Sequence, residues 1–224
     1  MKKKIIFFLV VCLLFVGKVS AQTETQLFGA GVSAATNGFG ANAYWQPVDK
    51  WKVALAGEFF PQLSIDKTIN EGSVSVDMNA KYKTGGVFVT GGYQFLSWMY
   101  ATAGLGINFF KASAIGSPQS MKYGDITLSP ETIGGLNVNI KSGTTVSPYL
   151  AIGFGRQLPT EKLVGVGVEI GAYYMGSPQL EIDATGMLEG TGDPEHVQAL
   201  QDEFSQFKFY PMIKLNVTFN VFSM

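Results

Sequence analysis

The 224-residue sequence has very little of what enzymes and redox proteins use for chemistry. It contains one cysteine, Cys12, and one histidine, His196, and only 15% of its residues are charged. A lone histidine among scattered acidic residues does not have metal-ligand spacing. Without a cysteine beyond residue 12, the rest of the chain can form neither a disulfide nor a thiolate metal site. We therefore expect no metal, no cofactor and no catalytic residues.

The N-terminus has an apolar run that is too short for a membrane helix. Ile5 to Val16 covers about a dozen residues, whereas a transmembrane helix needs about 20. The run follows the lysines at positions 2–4 and leads to the small-residue sequence Val19-Ser20-Ala21. This is the pattern of a secretory signal peptide. We predict a signal peptide over residues 1–21 and a single barrel domain over residues 22–224.

Basic charge is scarce in the predicted mature chain. Without the four lysines of the leader, 12 basic residues stand against 17 acidic ones, a net charge of −5. Proteins that bind nucleic acid present a basic face, so this balance argues against a nucleic-acid partner. No later apolar run approaches the length of a membrane helix. A secreted, rather apolar chain of this kind can cross a membrane as a closed β-barrel.

Alternating strand patterns fill the chain instead. The clearest lies at the C-terminus, where Ile213, Leu215 and Val217 share one parity and Lys214, Asn216 and Thr218 the other. Side chains of a strand alternate between its two faces, so this strand has one apolar and one polar side. Similar patterns predict eight strands, at about 26–36, 41–48, 51–61, 74–95, 98–112, 146–156, 163–183 and 208–222. In the fourth of these strands, the apolar residues change from one face to the other near residues 85–86, which predicts a bulge.

The connections alternate between short turns and mostly longer polar stretches. Residues 49–50 and 96–97 form short turns, whereas 62–72 and 115–143 are long, the second with room for extra strand at its flanks. The last long connection predicts one helix over 194–206, with Asp193 as its cap and Pro194 in its first turn. Bacterial outer-membrane barrels alternate turns and loops in this way. The predicted fold is all-β: an eight-stranded antiparallel transmembrane β-barrel with one short helix in the last extracellular loop.

Aromatic residues support the membrane interpretation. All three tryptophans lie beside the two short turns, and a second aromatic group follows about nine to eleven residues along the strands, the length of a tilted membrane strand. Two aromatic girdles around an aliphatic band are expected at the two faces of a bilayer. A soluble lipocalin-like barrel, which would bury its apolar face, is the alternative. The predicted girdle residues are Trp45, Trp51, Tyr93, Phe95, Trp98, Phe59, Phe109 and Tyr174.

Four charged residues would point into a membrane barrel: Lys52, Glu58, Glu169 and Lys214. Charges in such an interior are costly unless they are paired or hydrated. They form either a polar path that selects charged solutes or an internal network that holds the strands in register. A barrel of eight strands is filled by its own side chains, which favours the network.

Several segments resemble a known family. The sequences VSPYLAIGFG at 146–155, VGVEIGAYYMGSP at 166–178 and LQDEFSQFKFYP at 200–211 are similar to the small eight-stranded outer-membrane proteins of the ornithine-uptake porin type. This is the family of the carbapenem-associated outer-membrane protein. The hairpin at 38–58 also resembles its N-terminal portion. The resemblance implies an outer-membrane barrel, with uptake of basic amino acids proposed for some members, and it supplies no catalytic residues.

These features predict a monomeric barrel in the outer membrane of a Gram-negative cell. Its expected partners are outer-membrane lipid, lipopolysaccharide and, during biogenesis, the barrel-assembly machinery. The leading hypothesis is a small porin or uptake channel for small polar solutes, basic amino acids among them. The alternative is a structural or adhesive surface protein without conductance. A more distant one, a lipid-modifying barrel enzyme, would require a serine and a histidine within hydrogen-bond reach.

Overall fold

A computed structural model describes residues 26–71, 74–123, 126–156 and 164–224. The predicted signal peptide lies outside these residues. The strands are β1 Leu27–Ala35, β2 Gly38–Val48, β3 Trp51–Phe59, β4 Leu63–Glu71, β5 Val74–Lys83, β6 Gly85–Leu96, β7 Met99–Asn108, β8 Lys111–Tyr123, β9 Ile126–Leu128, β10 Leu136–Lys141, β11 Val146–Gly155, β12 Val164–Tyr174, β13 Gln179–Ala184 and β14 Phe209–Ser223. The helices are α1 Pro130–Ile133, a 3₁₀ helix Gly186–Gly192 and α2 Pro194–Phe204.

Eight of these strands form the predicted closed barrel, in the order β1-β14-β12-β11-β7-β6-β3-β2. All neighbours in the barrel are antiparallel. The C-terminal strand β14 closes the barrel by pairing with β12 on one side and with β1 on the other. The expected strand count and topology are confirmed.

The apolar side of the barrel faces outward. On β14, Ile213 is 55% and Leu215 is 45% exposed, whereas Lys214, Asn216 and Thr218 are buried. Strand β3 shows the same alternation along its whole length. This is the arrangement of a membrane barrel, because a lipid-facing strand must be apolar outside while its polar residues fill the interior. A soluble lipocalin-like barrel would have the two faces reversed.

A second sheet stands at one end of the barrel. It has the strand order β13-β10-β8-β5-β4, with β9 paired to β8. These strands extend β12, β11, β7, β6 and β3 in the same order. We call them the extracellular sheet, after the side of the membrane on which outer-membrane barrels carry their longer connections. Residues 63–71 of the predicted polar connection form a strand that was not predicted, whereas the extra strand expected at the flanks of 115–143 is present in β8 and β10. The sequence LSIDKTINE of β4 does alternate between apolar and polar residues.

Three of the four longest predicted strands divide where the chain passes from the barrel to the extracellular sheet. Residues 74–95 form β5 and β6, with Thr84 between them, rather than one bulged strand. Gly85 begins β6 with a φ of 143°, a conformation that residues with a Cβ rarely adopt. The predicted strands at 98–112 and 163–183 divide in the same way, into β7 with β8 and into β12 with β13.

The predicted helix is present and ends two residues early, at Phe204. Pro194 occupies its first turn and Asp193 its N-cap position, although the Asp193 side chain makes no capping hydrogen bond. The Gln201 side chain accepts a hydrogen bond from the backbone of Leu180 at 2.8 Å, which fixes α2 beside β13. None of the described helices has the length and hydropathy that crossing a membrane requires.

Candidate functional site: the charged interior of the barrel

The structure brings the four predicted interior charges into the barrel. Lys52 and Glu58 lie on β3, Glu169 on β12 and Lys214 on β14. Their side chains occupy the inward parity of these strands, and none of the four residues is more than 9% exposed. The alternation that makes each strand apolar outside therefore also places its charges inside.

Lys214 is the centre of the cluster. Its Nζ lies 2.6 Å from Glu58 Oε1 and 3.9 Å from Glu169 Oε2. Glu169 is directly opposite Lys214 in the register of β12 and β14. Glu58, in contrast, belongs to a strand three places away around the barrel, so this ion pair crosses the interior. One ammonium group thus connects distant walls of the barrel.

Both carboxylates have hydrogen-bond donors as well. Tyr149 and Tyr100 donate their hydroxyls to the Glu169 carboxylate, at 3.0 Å and 3.2 Å. Asn37, in the turn between β1 and β2, donates its side-chain amide to Glu58 Oε2 at 2.6 Å. A buried ion pair is tolerated only when such additional hydrogen bonds satisfy its remaining lone pairs.

Lys52 is held by tyrosine rings. Its Nζ lies 5.6 Å from the ring centre of Tyr44 and 5.9 Å from that of Tyr100, within the range of cation–π attraction. Among the described residues, no carboxylate lies within 4 Å of this ammonium group. The sequence pattern predicts the charges of this site but not the role of these tyrosines. The sequence signal for Tyr100 is that it lies on the same face of its strand as the polar residues Thr102 and Asn108.

A column of aromatic rings fills the interior between the charge cluster and the extracellular sheet. Ring centres lie 5.9 Å apart for Tyr149 and Phe88, 5.8 Å for Phe88 and Tyr173, and 4.9 Å for Tyr173 and Tyr210. The Tyr210 hydroxyl in turn lies 3.0 Å from that of Tyr82 on β5. We call Phe88, Tyr149, Tyr173 and Tyr210 the aromatic plug. Its first three members are at most 3% exposed.

Glycine makes room for these rings. The Tyr100 ring lies against the backbone of Gly153 on β11, where a Cβ would overlap it. Tyr100 can therefore reach across β11 to Glu169 on β12 only because residue 153 has no side chain. The barrel wall and its contents fit each other closely at this point.

The predicted aromatic girdle residues all lie on the outer surface of the barrel, between 37% and 55% exposed. Five lie near the β2–β3 and β6–β7 turns: Trp45, Trp51, Tyr93, Phe95 and Trp98. Phe59, Phe109 and Tyr174 lie at the opposite ends of β3, β7 and β12. Aliphatic residues such as Leu55 and Leu105 are exposed between the two groups.

The single histidine lies outside the charged interior. His196 is exposed on α2, where its ring nitrogen lies 3.0 Å from the Gly190 carbonyl oxygen. No described group of His, Cys, Asp or Glu side chains could hold a metal ion. What the interior arrangement does is electrostatic: it pairs buried charges across the barrel.

Comparison with known proteins places the fold. No family model and no curated protein matches the chain. The crystal structure of CarO from Acinetobacter baumannii matches with a TM-score of 0.56 and 21% identity, covering 87% of this chain and 98% of that one. That of CarO2 from the same organism matches with a TM-score of 0.56 and 18% identity, covering 89% and 100%. The chain has the fold of the CarO outer-membrane barrels, a closed eight-stranded antiparallel barrel.

Proposed function

We propose that this protein is a monomeric outer-membrane barrel that anchors and displays its extracellular sheet and does not conduct solutes. The observation that carries the proposal is the burial of the interior. Phe88, Tyr100 and Tyr173 are at most 1% exposed, and the four interior charges at most 9%. A water-filled pore would leave its lining accessible to water, whereas these side chains fill the interior, as barrels of eight strands allow.

The charges have a structural role under this proposal. Lys214 links Glu58 and Glu169, and each carboxylate accepts a hydrogen bond from an uncharged side chain. Such a network pairs its charges without a solute. It also distinguishes the correct register of β12 and β14 from one shifted by a single residue, which would turn the charge of the shifted strand toward lipid.

The displayed part is the extracellular sheet together with α2. One face of this sheet carries Leu63, Ile65, Ile69 and Met78, all between 41% and 53% exposed. Tyr82 lies on the same face and contacts Tyr210, so this face continues the barrel interior. Contact with other surfaces would then be made by the sheet, with the barrel as its membrane anchor. Export under a signal peptide cleaved after Ala21 and insertion by the barrel-assembly machinery belong to the same proposal.

A second candidate is an uptake channel for small polar solutes, including basic amino acids. The observation that favours it is the concentration of ionisable residues within the membrane-spanning strands, which by default marks a functional pathway. Lys52 in particular contacts tyrosine rings and no described carboxylate within 4 Å. In such a channel the aromatic plug would have to move for each solute to pass.

Swelling of liposomes distinguishes the two candidates. The mature chain is folded into vesicles, and swelling is followed in arginine, glycine and a small sugar. If the protein is an anchor, vesicles that contain it should swell at the rate of protein-free vesicles. The variant Phe88→Ala/Tyr173→Ala lacks two rings of the aromatic plug, so its vesicles should swell measurably faster. This variant shows that the assay can detect an opened barrel. Rapid swelling by the unaltered protein that falls in Glu58→Gln would contradict the anchor and support the channel.

An unchanged lipid A mass in cells lacking the protein would argue against a lipid-modifying enzyme.

A further inference from the structure

We propose that a row of lysines at the base of the extracellular sheet binds the phosphate groups of outer-leaflet lipid. The row consists of Lys83 on β5, Lys111 on β8 and Lys141 on β10, which are directly opposite one another in the strand register. Lys81 lies one step farther out on the same face of β5. We call these four residues the lysine row.

The lysine row faces away from the barrel axis. On β5 the inward side chain is Tyr82, which contacts Tyr210 and packs against Phe110. Lys81 and Lys83 flank Tyr82 and must point to the other side of the strand. Both are exposed. The lysines therefore lie on the face that is continuous with the lipid-facing surface of the barrel.

The height of the row matches the lipid headgroups. Phe109 belongs to the outer aromatic girdle, and its backbone N–H donates to Gly85 at 2.9 Å. Lys83 is two residues beyond Gly85, which places it about 7 Å farther from the bilayer centre along the strand. Aromatic girdles mark the membrane–water interface. The layer just outside the girdle is where the phosphates of an anionic lipid lie.

The lysine row destabilises the sheet unless an anion neutralises its charges. Like charges directly opposite each other on neighbouring strands destabilise a sheet, and their Cβ atoms are about 5 Å apart. Lys141 is partly neutralised by Glu181, at 2.7 Å. No carboxylate of a described residue lies within 4 Å of the ammonium groups of Lys81, Lys83 or Lys111. Glu181 lies in the cross-strand row of Lys81, at the far end from it, and the other acidic residues of this face, Asp66, Asp77 and Asp183, belong to rows farther from the barrel.

The four lysines border a single depression of 180 Å³ on the sheet surface, together with Gln62, Ser113 and Asn139. This combination of ammonium groups with hydroxyl and amide groups suits phosphate oxygens, which accept hydrogen bonds from all three. Lysine recognises phosphate as a point charge and does not require one fixed geometry. The ligand we infer is therefore a phosphate-bearing lipid such as lipid A, held beside its acyl chains.

The test is binding of lipid A to the folded, detergent-solubilised mature chain, measured by native mass spectrometry. Each lysine at a membrane surface contributes about fivefold to lipid affinity, so Lys83→Gln/Lys111→Gln should bind bisphosphorylated lipid A about 25-fold more weakly. The matched control is Lys67→Gln/Lys208→Gln, which removes two exposed lysines outside the row. Lys67 lies on the opposite face of the same sheet. We expect this control to bind as the unaltered chain does.

Two further ligands show whether the phosphate groups of the lipid are recognised. Dephosphorylated lipid A should bind weakly and equally to all variants, and inorganic phosphate at the same concentration should not compete. Equal affinity of the two double variants for bisphosphorylated lipid A would overturn the proposal, as would full affinity for the dephosphorylated lipid. Competition by inorganic phosphate would show a site for free anion rather than lipid.

Heat-modifiable migration on a gel shows whether each variant is folded. If the lysine variant does not fold, raising salt toward about 1 M, where the Debye length is about 3 Å, must weaken lipid binding to the unaltered chain. Salt-independent binding would refute the proposal. The inference rests on the position of the barrel in the membrane and not on whether it conducts, so a positive swelling result leaves it standing.

Discussion

Lys214 Nζ lies 2.6 Å from Glu58 Oε1 although their strands are three places apart around the barrel, so this ion pair spans the interior. The two side chains are 6% and 0% exposed. No solvent is available to compensate either charge if its partner is removed. The stability of the barrel should therefore depend on this pair far more than on any ion pair at the surface.

Glu58→Gln tests that dependence. Removing one partner of a buried ion pair costs about 3 to 5 kcal/mol, because the other charge stays buried and poorly compensated. The urea midpoint of unfolding in lipid vesicles, followed by tryptophan fluorescence, should fall accordingly. Glu181→Gln is the control, since its partner Lys141 forms an exposed pair, and such pairs contribute at most about 1 kcal/mol. Equal effects of the two substitutions would contradict the structural role of the network.

Removing both charges should be less harmful than removing one. Glu58→Gln/Lys214→Met removes this pair and leaves Glu169 with the hydroxyl donors Tyr100 and Tyr149. Replacing a buried ion pair by uncharged side chains is often neutral. We expect the double variant to recover most of the stability lost in Glu58→Gln, by the same urea measurement. A double variant less stable than Glu58→Gln would show that Lys214 stabilises the barrel independently of Glu58.

Gly153 should tolerate no side chain. A Cβ at this position overlaps the Tyr100 ring, so Gly153→Ala must displace Tyr100 and weaken its hydrogen bond to Glu169. Overpacking of this kind costs about 1 to 3 kcal/mol. The control is Gly57→Ala, because Gly57 is exposed and a Cβ there meets nothing within 4 Å. Urea unfolding should separate the two variants. The loss in Gly153→Ala should shrink when Tyr100 is also replaced by alanine.

The three tryptophans should all report one membrane interface. Trp45, Trp51 and Trp98 are exposed on the barrel surface beside the β2–β3 and β6–β7 turns. In vesicles of brominated lipids, their fluorescence should be quenched more by bromines near the headgroup than by bromines near the bilayer centre. Stronger quenching from the bilayer centre would contradict the girdle. Variants retaining a single tryptophan would show which residue is misplaced.

The barrel could be predicted from the sequence because each strand carries its own evidence. The alternation of Ile213, Lys214 and Leu215 fixes both the secondary structure and the two faces of β14. The positions of the tryptophans indicate which face meets lipid. Lys52, Glu58, Glu169 and Lys214 could be assigned to the interior by the same parity.

Contacts between distant strands could not be predicted in this way. The pair Lys214–Glu58 depends on how strands far apart in sequence are staggered around the closed barrel, and parity contains no information about stagger. The extracellular sheet was missed for a different reason. Its strands follow the barrel strands almost without interruption, so residues 74–95 form one continuous pattern. Only the shift in parity near Gly85 marks the boundary, and a bulge explains such a shift equally well.

The central claim, that the barrel interior is packed and excludes water, is tested most directly by the reactivity of a thiol placed inside it. The chain has no cysteine beyond residue 12, so Thr102→Cys introduces a single, nearly isosteric probe into residues 22–224, at a position that is 3% exposed. Thr68→Cys, on the exposed part of β4, is the control. With a charged, membrane-impermeant thiol reagent, we predict rapid labelling at position 68 and none at position 102 until the barrel is unfolded. Labelling of the folded barrel at position 102 at the rate of position 68 would contradict the account.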